Sequence, residues 1–334
     1  YIGSNSGNVI INSKVKIPTT ISGNGTTVAK GNSNSFSLSN LADGTYTVSS
    51  SFSAAWATSS RSGVGKSYSF SFQFKVDTNA PTMNNVSTSS TGKYTNSSTY
   101  VSASDSMSGV ECIYMKTPGN SSYGNMGTST TVSSTGTNGL YSFYAKDKAG
   151  NTSRTYFLYL DTVKPTGTIK NSNGTEITGS YTNQTFSYSA TDSGSGISYL
   201  QYKKPGSSSW LTYTSGTSIS ASAASGTYQF RAVDKAGNIS ATKSITLDSS
   251  KPTMTLYSGD VSVSNGYKSI ANYIKATATD SGSGVKTIYI KKPGASSYTE
   301  YASGTQLTAD GAYSFYCVDN AGNASQTYTI SMDH

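Results

Sequence analysis

The sequence predicts an all-β chain made of tandem copies of one small sandwich, and three observations predict it. A five-residue turn occurs three times, as Asp147-Lys148-Ala149-Gly150-Asn151, Asp234-Lys235-Ala236-Gly237-Asn238 and Asp319-Asn320-Ala321-Gly322-Asn323. Each turn follows a short aromatic strand opened by Gly-x-Tyr, at Tyr141, Tyr228 and Tyr313. Each repeat also begins at an Asp-x-x-x-Pro link: Asp77–Pro81, Asp161–Pro165 and Asp248–Pro252, with the prolines 84 and 87 residues apart. A fixed turn between alternating strands, recurring at domain-sized intervals, is the signature of a repeated β module.

Composition agrees. Charged residues are 12% of the 334, about half the usual share, and hydrophobic residues only 34%. That is little apolar material for one large core and enough for several thin ones of alternating side chains. The two cysteines, Cys112 and Cys317, fall in different repeats, which argues against an intradomain disulfide and for small apolar core residues. No apolar run reaches 18 residues, so no membrane-spanning helix is expected. The net charge of +8 comes from scattered Lys and Arg without the clustered stripe of a nucleic-acid binder. A mildly basic extracellular chain suits an anionic polymer as neighbour.

In chain order, residues 1–76 form a divergent first unit. Val9–Ile11, Val15–Ile17 and Phe36–Leu38 are short strand candidates, and Gly44–Val48 copies the Gly-x-Tyr strand. The signature turn is missing here, replaced by a longer loop from Ala57 to Gly65. The run Tyr68–Val76 then alternates with period two, which predicts one buried face. Regular repeats follow at 77–160, 161–247 and 248–334. Proline in each link fixes φ and removes a donor, which ends one sheet and stiffens the passage to the next. Within 161–247, strands are expected at Thr166–Lys170, Thr185–Thr191, Ile197–Lys203, Trp210–Tyr213, near Ile219, Gly226–Val233 and Ile239–Leu247. Seven strands is the count of an immunoglobulin or fibronectin type III sandwich. The chain opens in mid-pattern at Tyr1 and ends where Asp333 starts another link, as in a piece of a longer secreted protein.

The run from Asp161 to Asp248 resembles the bacterial Ig-like domains of Gram-positive surface proteins. The residues carrying the resemblance are Asp161…Lys164-Pro165-Thr166, Asp192-Ser193-Gly194-Ser195-Gly196, Trp210…Tyr213 and Ala232–Asn238. The second and fourth units match nearly as well; the first lacks both the turn and the Ser/Gly motif. The short links leave adjacent modules little freedom, which predicts an elongated, monomeric rod; the resemblance implies stalk modules outside the cell, at its wall or surface. It implies modules that space and display an adhesin or enzyme, some binding host proteins or glycans, with no shared active site.

Two constellations are candidate sites. Ten of the 13 Asp stand at repeat positions. In an Ig-type sandwich, Asp161, Asp192 and Asp234 would meet at the pole where the chain enters. Three carboxylates and nearby carbonyls are the kind of ligand Ca²⁺ takes, six to eight oxygens at a time. The competing expectation is that each Asp caps its own turn. The second constellation is aromatic: Tyr123, Trp210 and Tyr298 occupy one repeat position, five residues after Pro118, Pro205 and Pro293, and Trp56 lies in the loop of the first unit. Such rings stack on sugars or proteins when exposed and pack across strands otherwise.

Catalysis has little to work with. The single histidine is His334, at the chain end, so a Ser–His pair is not expected. The three Glu (Glu111, Glu176, Glu300) share no repeat position, which leaves neither a paired-carboxylate site nor the acid of a Lys–Asn isopeptide bond. No Cys/His metal cluster and no phosphate loop is present. The expected function is therefore non-catalytic: adhesin-type stalk or binding modules for a host protein such as immunoglobulin or mucin, without a cofactor unless Ca²⁺ binds. The alternative is a set of carbohydrate-binding accessory modules of a secreted enzyme.

Overall fold

A computed structural model describes residues 7–10, 18–33, 35–54, 57–58, 61–62 and 66–333. Every regular element among them is a strand, and the chain divides into two compact units, 1–162 and 163–334. Buried apolar residues fall into four separate clusters. Two lie in the first unit, around Tyr46 and Phe143, and two in the second, around Phe230 and Phe315.

In the first unit, residues 77–160 form two facing sheets. One has the order Lys93–Thr95, Tyr156–Leu160, Gly139–Asp147, Val110–Lys116, Gly124–Asn125; the other is Ser129–Val132, Thr99–Ser104, Thr82–Asn84. Only Lys93–Thr95 pairs in parallel, with Tyr156–Leu160; all other pairings are antiparallel. Along Gly139–Asp147, Tyr141, Phe143 and Ala145 face the core while Tyr144 and Lys146 stand on the other face, as the two-residue period requires. The second unit builds the same sandwich twice. Its five-stranded sheets run Tyr181–Thr182, Lys243–Leu247, Gly226–Asp234, Ile197–Lys203, Leu211–Tyr213 and Tyr267–Ser269, Tyr328–Met332, Gly311–Asp319, Val285–Lys291, Thr299–Tyr301. The smaller sheets are Thr166–Asn171 with Phe186–Thr191, and Val261–Val263, Thr253–Ser258, Ile274–Thr279.

The Gly-x-Tyr strand explains itself here. Tyr46, Tyr141, Tyr228 and Tyr313 bury their rings, and each hydroxyl donates to the carbonyl four residues back (Ala42, Thr137, Ala224, Ala309) at 2.8–3.0 Å. This is the tyrosine corner of Ig-type sandwiches. The glycine two places earlier has positive φ in all four, and at 139, 226 and 311 it lies against Pro118, Pro205 and Pro293 of the preceding turn. Cys317 takes the core position of Ala145 and Ala232; both cysteines are buried and free.

Several details differ from the sequence reading. The seventh strand of 161–247 is the short Tyr181–Thr182, whereas Ile219 makes only a single bridge to Phe186. Ile239 likewise makes one bridge, and its strand starts at Lys243. In residues 1–76 an unexpected hairpin, Pro18–Gly23 with Thr26–Asn32, joins the sheet with Gly44–Ala54 and Lys66–Val76. Gly7–Ile10 and Ser35–Leu38 are strands as expected, and Val15–Ile17 lies outside the described residues. The face of Tyr68–Val76 is not buried throughout: Val76 is enclosed and Phe70 and Phe74 pack against the core, but Phe72 is 46% and Tyr68 51% exposed on this edge strand of the sheet.

Candidate functional site

Each link is held by short-range chemistry that begins with its Asp. Asp77 is fully buried: one carboxylate oxygen accepts from Asn79 N at 3.1 Å and the other from Ser108 N at 2.9 Å, in the Ser/Gly loop. The signature turn closes on the same point. Asn151 caps it by giving its backbone N–H and its side-chain amide to the Asp147 carboxylate, both at 2.8 Å. The same amide donates to the carbonyls of Asp77 and Asn79 at 2.8 and 3.1 Å. From the preceding sandwich, Asp43 accepts from the N–H and hydroxyl of Thr78 at 2.9 Å and from the Asn79 amide. The link is thus clamped from both sides.

The second unit repeats the device at Asp248. Its carboxylate accepts from Ser250 N at 2.9 Å and Ser283 N at 2.7 Å, and its carbonyl from the Asn323 amide at 2.8 Å. Asn323 caps Asp319 and receives the amide of Asn183, from the preceding sandwich, at 3.2 Å. Burial pushes the Asp77 and Asp248 carboxyls up, but the hydrogen bonds from the serine loops outweigh it and hold both below the ordinary carboxylate value.

The acidic trios Asp77–Asp105–Asp147 and Asp248–Asp280–Asp319 bring one oxygen from each carboxylate within 4.8 Å of the others. Asp161 closes the first unit, buried, with Thr162 bonded to Asn138 behind it; Asp192 and Asp234 lie in the second unit. Asp192 and Asp280 cap their own turns through two glycine N–H groups each, and Asp234 is capped by Asn238. The partners of these oxygens are therefore N–H groups. Asp192 Oδ1 and Asp280 Oδ1 are buried and accept nothing. Among the described residues, Asp280 Oδ1 is the unpartnered oxygen that the trio Asp248–Asp280–Asp319 offers a cation, where Ca²⁺ takes six to eight ligands.

The aromatic position lies on the outer face of the five-stranded sheet, half-buried in every repeat. Tyr123 meets Tyr144 edge-on at 5.0 Å, and Tyr144 stacks on Tyr114 at 4.7 Å. Tyr298, Tyr316 and Tyr289 repeat this at 4.9 and 4.8 Å. The repeat at 161–247, the third unit of the chain and hereafter the third repeat, departs: Arg231 and Gln201 replace the tyrosine pair, the Arg231 guanidinium lies 4.2 Å from the Trp210 ring centre, and Lys203 Nζ lies 5.0 Å from it. These rings pack across strands rather than in the core, as period-two placement on the outward face dictates. Trp56 lies outside the described residues. The sequence points to Asn151 and Asn323 as members of the signature turn but not to their hold on the link, nor to Asp43 or the outer-face residues Gln201 and Arg231; the signal for Asp43 is that a polar residue precedes every Gly-x-Tyr.

No protein-family model and no curated protein matches the chain. Among solved structures it is similar to the fibronectin(III)-like modules of Clostridium thermocellum CbhA, at 16% identity over 50% of this chain and 92% of that one, with a TM-score of 0.26. It is similar to invasin, a bacterial integrin-binding protein, at 12% identity over 99% and 76%, with a TM-score of 0.27. It also matches the Bacteroides ovatus mixed-linkage glucan protein SGBP-B, at 11% identity over 77% and 71%, with a TM-score of 0.16. Likeness at this level carries no argument about function; the all-β sandwich architecture stands on the strand pairing itself.

Proposed function

We propose that this chain is a non-catalytic, extracellular segment of a bacterial surface protein, of adhesin type, in which the regular repeats space and display a binding surface. The observation that carries the reading is the clamped link. Asp77–Pro81 is held by Asp43 of the sandwich before and Asn151 of the sandwich after, and Asp248–Pro252 by Ser225 and Asn323 in the same way. A joint satisfied on both sides resists bending, which is what a spacer needs and a free tether lacks. The surface most suited to a host protein, such as an immunoglobulin or a mucin, is the divergent first unit. Its long hairpin leaves Tyr68 and Phe72 in solvent, and exposed aromatics favour interfaces. The test is an array of host proteins and glycans probed with residues 1–334 and with 77–334. Host-protein signal lost with residues 1–76 supports the reading; equal signal from both pieces, or turnover of any arrayed substrate, defeats it. A second reading, carbohydrate-binding accessory modules, is favoured by the cationic tryptophan site of the third repeat.

A further inference from the structure

We propose that the outer sheet face of the third repeat binds an acidic glycan through Arg231, Lys203, Trp210 and Tyr199. This gives the second reading above a ligand class and a place. Two cations crowd one indole ring, Arg231 at 4.2 Å and Lys203 at 5.0 Å from its centre. The ion pairs formed among the described residues, Lys146–Glu111 and Lys275–Asp260, include neither of them. Like charges held together without an acid gain from an incoming anion.

The guanidinium is also pre-set. Gln201 Oε1 accepts from Arg231 Nε at 2.8 Å and Trp210 stacks on the group, so the remaining N–H fork is fixed in plane for a carboxylate or sulfate. Tyr199 stands two residues before Gln201 on the same outward face, about 7 Å along the strand. It is 47% exposed, and no ring of the described residues stacks on it. A free ring beside an oriented cation suits a sugar acid, whose apolar face covers the ring while its anionic group meets the fork. A carboxylate peptide would use only the charges. The other repeats are built-in controls, since Tyr114 and Tyr144, or Tyr289 and Tyr316, replace Gln201 and Arg231 and stack on each other.

The test uses the whole chain and the double variant Gln201→Tyr with Arg231→Tyr, which installs what the sister repeats already hold. Binding is measured to polygalacturonate, heparin, dextran and polyglutamate at fixed salt. The expected result is binding to polygalacturonate, heparin or both, none to dextran, and at least about a tenfold loss in the variant, the value of one charged hydrogen-bonded contact. Preference between the two acidic glycans assigns carboxylate or sulfate. If the double variant melts early, Arg231→Gln with Lys203→Gln replaces it under the same criteria. No acidic glycan bound, undiminished binding by the folded variant, or polyglutamate bound equally well each overturns the proposal. Since residues 77–334 retain this site, its failure is separate from loss of host-protein signal with residues 1–76.

Discussion

Asp248 is enclosed, yet it keeps its charge because an N–H from each of two segments, Ser250 and Ser283, points at it. Replacing it with Asn sets an NH₂ against one of those donors, and the loss should be about 2 kcal/mol for the fourth sandwich, seen as an early melting transition. The pH dependence follows from the same contacts. A carboxyl held below its ordinary value contributes fully above the unfolded value, about pH 4, and the contribution is lost as pH falls through the lower folded value. Acid unfolding of wild type should therefore steepen below about pH 4, and Asp248→Asn should flatten that limb; identical acid limbs would refute the role. Removing divalent ions tests the neighbouring oxygens. With N–H groups as the partners of Asp248 and Asp319, and one open oxygen on Asp280, EDTA should leave every melting transition in place. A downward shift in EDTA, restored by Ca²⁺, would assign the trio to calcium.

At the level of strands and turns, the Gly-x-Tyr corner joins three local demands. The tyrosine fills the core, its hydroxyl ties the preceding loop, and the glycine makes room for a proline. At Gly226, φ is +130° and an added Cβ would sit 2.7 Å from Pro205 Cβ. Gly226→Ala should destabilise the third sandwich by at least about 1–3 kcal/mol from backbone strain alone, before the clash. Calorimetry showing an unmoved transition would contradict this. Much of this level was readable in advance, because Gly, Pro and Asp announce backbone geometry locally. Thr166–Lys170, Ile197–Lys203 and Gly226–Val233 were legible from alternation, whereas Tyr181–Thr182 was not: a two-residue strand has no period, and its partner at Lys243–Leu247 is distant in sequence. The hairpin of residues 18–32 does carry a local signal, Asn24-Gly25, both with positive φ between paired strands. Trp210 was visible as a site residue, but its partner Arg231 was not, since the two stand 21 positions apart on either side of Ile197–Lys203 and meet only once strand order and register are set.

For the chain as a whole, the question is whether the sandwiches move independently. Separate cores would allow it, and a short proline link alone would limit the range without fixing an angle. Within the second unit the restraint is more specific. Asn323 holds the carbonyl of link residue Asp248 at 2.8 Å and takes the Asn183 amide of the preceding sandwich at 3.2 Å, while capping Asp319 with the same side chain. One amide thus couples a turn, a link and a neighbouring module. Asn323→Ala should leave the strands of both sandwiches intact, lower the fourth transition by about 1–2 kcal/mol through the lost cap and link bond, and loosen the joint. Spin labels on the outer faces at Thr212 and Glu300 would report it as a broadened distance distribution. If the distribution stays as narrow as wild type while the melting transition falls, the clamp serves the stability of one sandwich only, and the stiffness asked of a spacer would have to come from the proline and from the bonds of Ser225 to Ser249 and of Asp248 to Thr182.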